Sequence, residues 1–224
     1  MVKITFYGHA CFSITDGSTV LLTDPYLTGN PMAAAGPDEV DADYILVTHG
    51  HGDHVGDTPA IAKRTGAKII TPVEIGRALF SGFSCLPCNL GGTIRLPFGS
   101  VKLIPAIHGS GVPGALACGF VISVGGKKIC HLGDTALTKD FELLAQEQID
   151  VLLAPVGDVY TMGPDDAARA AGMIRPKLAV PMHYGTFPAL VQDPEPFIHA
   201  CEDQRIPARV LHPGDTLIST EFCK

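Results

Sequence analysis

At 224 residues, 46% of them hydrophobic and 17% charged, the chain has the make-up of an ordinary globular protein that can bury one substantial core. No apolar run approaches the roughly 20 residues that a membrane span needs, so a membrane protein is not expected. The net charge is −7, and only Lys63-Arg64 and Lys127-Lys128 are adjacent basic pairs, so no basic stripe suggests nucleic acid as a partner.

The opening Met1-Val2-Lys3-Ile4-Thr5-Phe6 lacks the long apolar stretch and cleavage site of a signal peptide and reads as a strand, Lys3 to Gly8. Cys11 to Thr15 and Val20 to Asp24 follow as strands, with Asp16-Gly17-Ser18 as a hairpin turn between them. Thr28 to Asp38 is rich in Gly, Pro and Ala and reads as a loop that borders a site. The apolar run Tyr44-Ile45-Leu46-Val47 reads as a buried strand that ends in His49-Gly50-His51-Gly52-Asp53-His54. Three imidazoles and a carboxylate on a glycine-rich turn are the donors that zinc-like cations prefer.

Asp57-Thr58-Pro59 gives a cap with proline in the first turn, Ala60 to Thr65 a short helix, and Gly66 its stop. Strands are expected at Lys68–Thr71, Val101–Ile107, Gly119–Val124, Lys128–Leu132, Val151–Ala154 and Leu178–Pro181. Phe141, Leu144 and Ala145 form a helical stripe across 138–147, and Pro164 with Asp165-Asp166 opens a further helix. Cys85-Leu86-Pro87-Cys88 has no second pair to complete a four-sulfur site and reads as ordinary loop and core cysteines. Seven scattered cysteines suit reduced thiols, and hence a cytoplasmic protein. Strands alternate with helices in both halves, which predicts a single layered α/β domain over residues 1–224 with two mixed sheets covered by helices.

Four further positions share one local pattern, an apolar strand followed by a histidine or aspartate and then glycine or a turn. They are Asp24, His108, Asp134 and His183. Asp24 suits holding a ligand histidine by its second nitrogen, against the plain alternative of a turn-forming aspartate before Pro25. His9 stands at a strand end beside Gly8, either near a site or as a rim histidine bonded to backbone. His131 suits a structural role, His199 a surface position on a helix, and His212 a turn.

With His-x-His-x-Asp-His at 49–54, His108, Gly133-Asp134-Thr135 and Pro181-Met182-His183-Tyr184, the chain resembles the metallo-β-lactamase superfamily. Tyr7 to Phe12, Asp24 to Pro31 and Gly157 to Pro164 resemble its small metal-dependent hydrolase branch, related to the ascorbate-6-phosphate lactonase. The resemblance implies a four-layer αββα sandwich with a metal site on one rim. It implies that His49, His51 and His108 hold one divalent cation and that Asp53, His54 and His183 hold a second, with Asp134 bridging. Zinc is the favoured metal, and manganese, nickel or iron suit the same donors. The implied chemistry is attack by a bridging hydroxide on an ester, lactone or phosphoester of a small molecule, with Asp53 and Asp134 as the catalytic carboxylates. Asp158, Tyr160, Thr161 and Met162 would form a substrate-facing loop, or a plain connection, and Tyr184 and Thr186 would offer hydroxyls to a substrate. A phosphodiesterase or nuclease and an iron enzyme of oxygen or sulfur chemistry are the alternatives on this scaffold, and homo-oligomer formation stays open.

Overall fold

Residues 1–222 are described by the computed structural model. The strands of the first half are β1 (Lys3–Gly8), β2 (Cys11–Thr15), β3 (Val20–Thr23), β4 (Tyr44–Leu46), β5 (Lys68–Pro72) and β6 (Cys85–Cys88). Those that follow are β7 (Thr93–Leu96), β8 (Gly99–Pro105), β9 (Cys118–Val124), β10 (Lys127–His131), β11 (Val151–Pro155), β12 (Leu178–Met182) and β13 (Thr216–Ile218). They form two sheets, ordered β13-β1-β2-β3-β4-β5-β6 and β12-β11-β10-β9-β8-β7. Both are mixed: pairing is antiparallel from β13 to β3 and from β7 to β10, then parallel from β3 to β6 and from β10 to β12.

The sequence patterns explain the layering. In β1 buried residues alternate with more open ones, so one face meets the core. In β11 and β12 every residue is buried, as expected of parallel strands covered on both faces. Pro181 is tolerated in β12 because this strand is the edge of its sheet.

The helices are α1 (Gly52–Val55), α2 (Thr58–Thr65), α3 (Val73–Leu79), α4 (Pro164–Ile174) and α5 (Glu195–Asp203), with a 3-10 helix at Lys139–Glu147. Ile61 of α2, Ile75 of α3 and Phe80 cover one face of the first sheet through Leu22, Ile45 and Ile69. The larger cluster joins Ile4, Phe12 and Leu21 of that sheet to Val101, Phe120 and Ile122 of the second. It continues to the alanines of α4 and to Phe197 of α5. Full burial of side chains such as Phe120 or Ile122 contributes about 1.5–3 kcal/mol each. The result is two mixed sheets flanked by helices. No helix among the described residues is long and apolar enough to cross a membrane.

Some expected elements differ in detail. The 138–147 segment is 3-10 rather than α: Phe141 and Leu144, three apart, are buried, while Ala145 is only half-buried. The helix after Asp57 starts at Thr58, and the Asp57 carboxylate does not cap it. That carboxylate accepts the amides of Leu27 and Thr28 instead, at 3.0 and 2.8 Å, and so ties down the 24–36 loop. Strand β8 stops at Pro105, two residues early, because the Thr135 hydroxyl takes the Ile107 amide at 3.0 Å. Cys85–Cys88 is the edge strand β6, and the six described cysteines are all unpaired. Cys223 lies outside the described residues.

Candidate metal centre

The donors gather where strands end. Asp24 follows β3, His49 follows β4, His108 follows β8, Asp134 follows β10 and His183 follows β12. Because β3 and β4 are parallel, and β10 runs parallel to β11 and β11 to β12, these ends open on a common rim. Two of these residues, Asp24 (φ 35°) and His183 (φ 60°), and His9 after β1 (φ 59°) have left-handed backbone. Such conformations disfavour side chains with a Cβ and persist where the surrounding structure holds them. Gly50 lets the hexapeptide lie flat against the 109–112 loop, since a Cβ there would stand 2.8 Å from Val112 Cγ2 and 2.9 Å from Ser110 O.

Around Asp134 the side chains converge. Its Oδ2 lies 3.1 Å from His183 Nε2, 3.3 Å from His54 Nε2, 3.5 Å from His108 Nε2 and 3.9 Å from His49 Nε2. On one side His51 Nδ1 is 2.9 Å from His49 Nε2 and 3.3 Å from His108 Nε2. On the other, Asp53 Oδ2 is 3.9 Å from His183 Nε2 and 4.0 Å from His54 Nε2. Nitrogens sharing one tetrahedral zinc at about 2.0–2.1 Å lie roughly 3.4 Å apart, close to these spacings. His49, His51 and His108 thus form one group that could hold a cation, and His9, Asp53, His54 and His183 another.

Buried polar groups are nearly always hydrogen-bonded, so the exceptions carry information. Among the described residues five buried side-chain atoms lack a partner, and four of them are His54 Nε2, Asp134 Oδ1, His183 Nδ1 and His183 Nε2. A cation between these side chains would satisfy three of them at once: the Asp134 oxygen and the two Nε2 atoms. The donor set therefore fits divalent metal.

The imidazoles are held by partners that fix their tautomers. Asp24 is fully buried and accepts the Thr48 amide at 2.8 Å, the Thr48 hydroxyl at 2.7 Å and His54 Nδ1–H at 2.8 Å. Having given its proton to Asp24, the Thr48 hydroxyl accepts from His49 Nδ1–H at 3.0 Å. Both rings then aim Nε2 at the rim, the atom a metal ligand offers once it has given up its proton. His9 accepts from Thr186 Oγ1 on Nδ1 at 2.7 Å and donates from Nε2 to Asp53 Oδ2 at 3.2 Å, so it steers Asp53.

Electrostatics match this arrangement. Burial would lower the pKa of His54, but Asp134 and Asp24 outweigh it and raise it well above the usual histidine value. Burial lowers His49 to about 2, helped by His54, and burial lowers His9 to about 4 despite its bond to Asp53. Burial works to raise Asp134, yet His54 and His183 hold it well below the ordinary carboxylate range. Two carboxylates that draw a proton onto a fully buried imidazole would draw a divalent cation more strongly.

Several expected positions fall elsewhere. Tyr184 is buried beside Phe6 and its hydroxyl donates to Leu211 O at 3.1 Å, so it faces the core rather than a substrate. Asp158 is exposed, with its carboxylate over Gly163. Its loop nevertheless meets the centre: Met162 N donates to Thr135 O at 3.0 Å, and Gly157 abuts His183, where a Cβ would stand 2.4 Å from His183 O. His131 is satisfied on both nitrogens, donating to Ala10 O at 3.0 Å and accepting from Gly133 N at 3.1 Å. His199 and His212 are exposed. Sequence reasoning passed over Thr48 entirely; its one signal is a hydroxyl placed between a strand and the first histidine.

A family described as "Beta-lactamase superfamily domain" matches residues 3–183, which ends on His183. A metal-dependent hydrolase of Symbiobacterium thermophilum is 51% identical over 96% of this chain and 99% of that protein. One from Thermus thermophilus is 45% identical over 97% of this chain and 99% of its own length. Among solved structures, Igni18, a metallo hydrolase from the archaeon Ignicoccus hospitalis, superposes with a TM-score of 0.89 at 34% identity. That match covers 96% of this chain and 97% of the archaeal one.

Proposed function

Given that the chain belongs to the metallo-β-lactamase superfamily and is one of its metal-dependent hydrolases, we propose that it hydrolyses a small-molecule ester, lactone or phosphoester at a two-metal centre. The observation that carries this reading is the Asp134 carboxylate, whose Oδ2 has four histidine nitrogens within 3.9 Å and whose Oδ1 is buried without a partner. In this reading His49, His51 and His108 would hold one cation and Asp53, His54 and His183 the other, with the Asp134 carboxylate between the two groups. Divalent cations held there would supply an acidified water and Lewis-acid polarisation of the substrate oxygen.

The protein's own groups do the rest. Asp53 is a quarter exposed while Asp134 is 3% exposed, so Asp53 is the carboxylate that can reach an attacking water from the open side. Burial alone would raise the pKa of Asp53, but His9 and His54 outweigh it and lower it, so Asp53 is ionised and orients the water as an acceptor. His9, neutral because it is buried, keeps Asp53 in place through Nε2–H. Asp24 and Thr48 keep the His54 and His49 lone pairs aimed inward.

The same reading takes residues 1–224 as one domain, supported by β13 pairing back onto β1, with Lys3 opposite Ile218. Unpaired thiols suit a reducing compartment, so the reading places the enzyme in the cytoplasm. The experiment is metal analysis of the purified protein with a panel of ester, lactone and phosphodiester substrates. Turnover lost on chelation and restored by zinc or manganese is expected. Turnover that survives complete metal removal would overturn the reading.

A further inference from the structure

We propose that the rim beside the histidines binds the uncharged, apolar part of the substrate, and that a remote phosphate or carboxylate on the substrate is rejected. The proposal rests on the hydrolase reading and narrows its substrate class.

Charge gives the first observation. Of 16 lysines and arginines, none falls within 4–62, 103–126, 129–138, 140–168 or 178–204. Those stretches hold the segments that carry the donors, together with Asp24, Asp53, Asp57, Asp134 and Asp158, while Arg77 lies outside them on α3. Lys139 opens the 3-10 helix five residues after Asp134, and Arg169 is engaged by Asp166 at 3.3 Å. A phosphate that is not itself the reacting group would therefore meet carboxylates and no lysine or arginine on these stretches, which disfavours it by repulsion.

Apolar surface gives the second. Among the described residues seven large apolar side chains are exposed, and five of them flank the centre: Leu79, Ile107, Leu116, Val159 and Tyr160, each between 40% and 64% exposed. Ile107 precedes His108, and its carbonyl accepts the Ala136 amide at 3.1 Å. Leu116 belongs to the loop whose Ser110 carbonyl accepts Gly50 N at 2.7 Å, and Leu79 Cδ1 approaches Gly50 from α3. Val159 and Tyr160 form the tip of the loop anchored on Thr135 and His183. Opposite them Tyr26 and Phe187 stack at 6.2 Å, and each meets the His9 ring edge-on at 5.6 Å. Isolated exposed apolar residues are ordinary, but a group bordering a polar centre marks a binding surface.

Two measurements test this. The first compares an alkyl ester with the ω-carboxylate ester of equal length on the zinc-loaded enzyme. We expect kcat/KM to favour the neutral ester roughly 10-fold or more, and Val159→Lys to narrow that ratio. The second follows methyl NMR signals of Ile107, Leu116 and Val159 in the metal-free protein as an unreactive alkyl amide is added. Shifts at these methyls, absent with the ω-carboxylate amide, are expected. Chelator-sensitive turnover with equal or greater preference for the charged ester would overturn this inference and leave the hydrolase reading standing. Methyls that ignore the amide would overturn it as well. Turnover indifferent to chelation would instead sink the hydrolase reading.

Discussion

Thr48 binds Asp24 twice, through its amide at 2.8 Å and its hydroxyl at 2.7 Å, and this double bond settles which way two histidines face. Asp24→Asn would present an amide N–H to His54 Nδ1–H or force that ring to its other tautomer, removing the Nε2 lone pair from the rim. Metal affinity should fall about 10–100-fold, measured by competition against a chelator, with the fold retained. Unchanged affinity would show that Asp24 is only a turn former.

His51→Ala and Asp53→Ala each remove a group from the rim and touch no part of the apolar core. Turnover should drop to background in both while circular dichroism stays native. Full activity in either variant contradicts the proposed ligand set.

Loading the centre ties the two sheets together, so metal removal should lower the unfolding temperature. Saturation at 100-fold excess over Kd is worth about 2.7 kcal/mol, which for a chain of this size corresponds to roughly 5–10 °C by calorimetry. His51→Ala should shrink that difference, whereas a conservative surface change such as Glu202→Gln should not.

His131→Phe tests the distinction between a histidine that holds metal and one that holds backbone. It strands Ala10 O and Gly133 N in the interior, so stability should fall by about 1–3 kcal/mol in urea unfolding. The metal content per folded molecule should match the wild type. A loss of one cation would move His131 into the centre.

Asp150 clamps the far ends of β10, β11 and β12. It accepts Lys177 Nζ at 2.7 Å and Lys128 N at 2.8 Å, with Lys127 Nζ 3.7 Å away. Burial works to raise its pKa, but Lys177 and the Lys128 amide outweigh it and lower it. A carboxyl depressed in the folded state adds stability above its unfolded pKa and loses it as pH falls through the folded value. Asp150→Asn should therefore cost about 1–3 kcal/mol at pH 7, and the gap from wild type should close in acid below about pH 4. A gap constant with pH would leave the carboxylate's charge without a role.

The hexapeptide was legible because its chemistry is contiguous: His49, His51, Asp53 and His54 declare a cation within six residues. His108, Asp134 and His183 were legible because each ends an apolar strand. The supports were harder to read. Thr48 and Thr186 are ordinary loop threonines until folding sets them against Asp24 and His9, over separations that no local pattern records. Tyr184 misled because its chain position beside His183 says nothing of which way the next side chain turns, and the left-handed backbone at His183 sends it inward. Strand β6 lacks a clean apolar alternation, and β7 alternates over only four residues, Thr93-Ile94-Arg95-Leu96, so neither stands out in the sequence. Asp57 reads as a helix cap because sequence cannot show that Leu27 and Thr28 compete for its carboxylate.

The centre draws His9, Asp24 and the hexapeptide from the first sheet, and His108, Asp134 and His183 from the second. A ribosome releases the first set well before the second. A cation captured early therefore meets an incomplete cage, and full coordination waits for the last strand of the second sheet to dock.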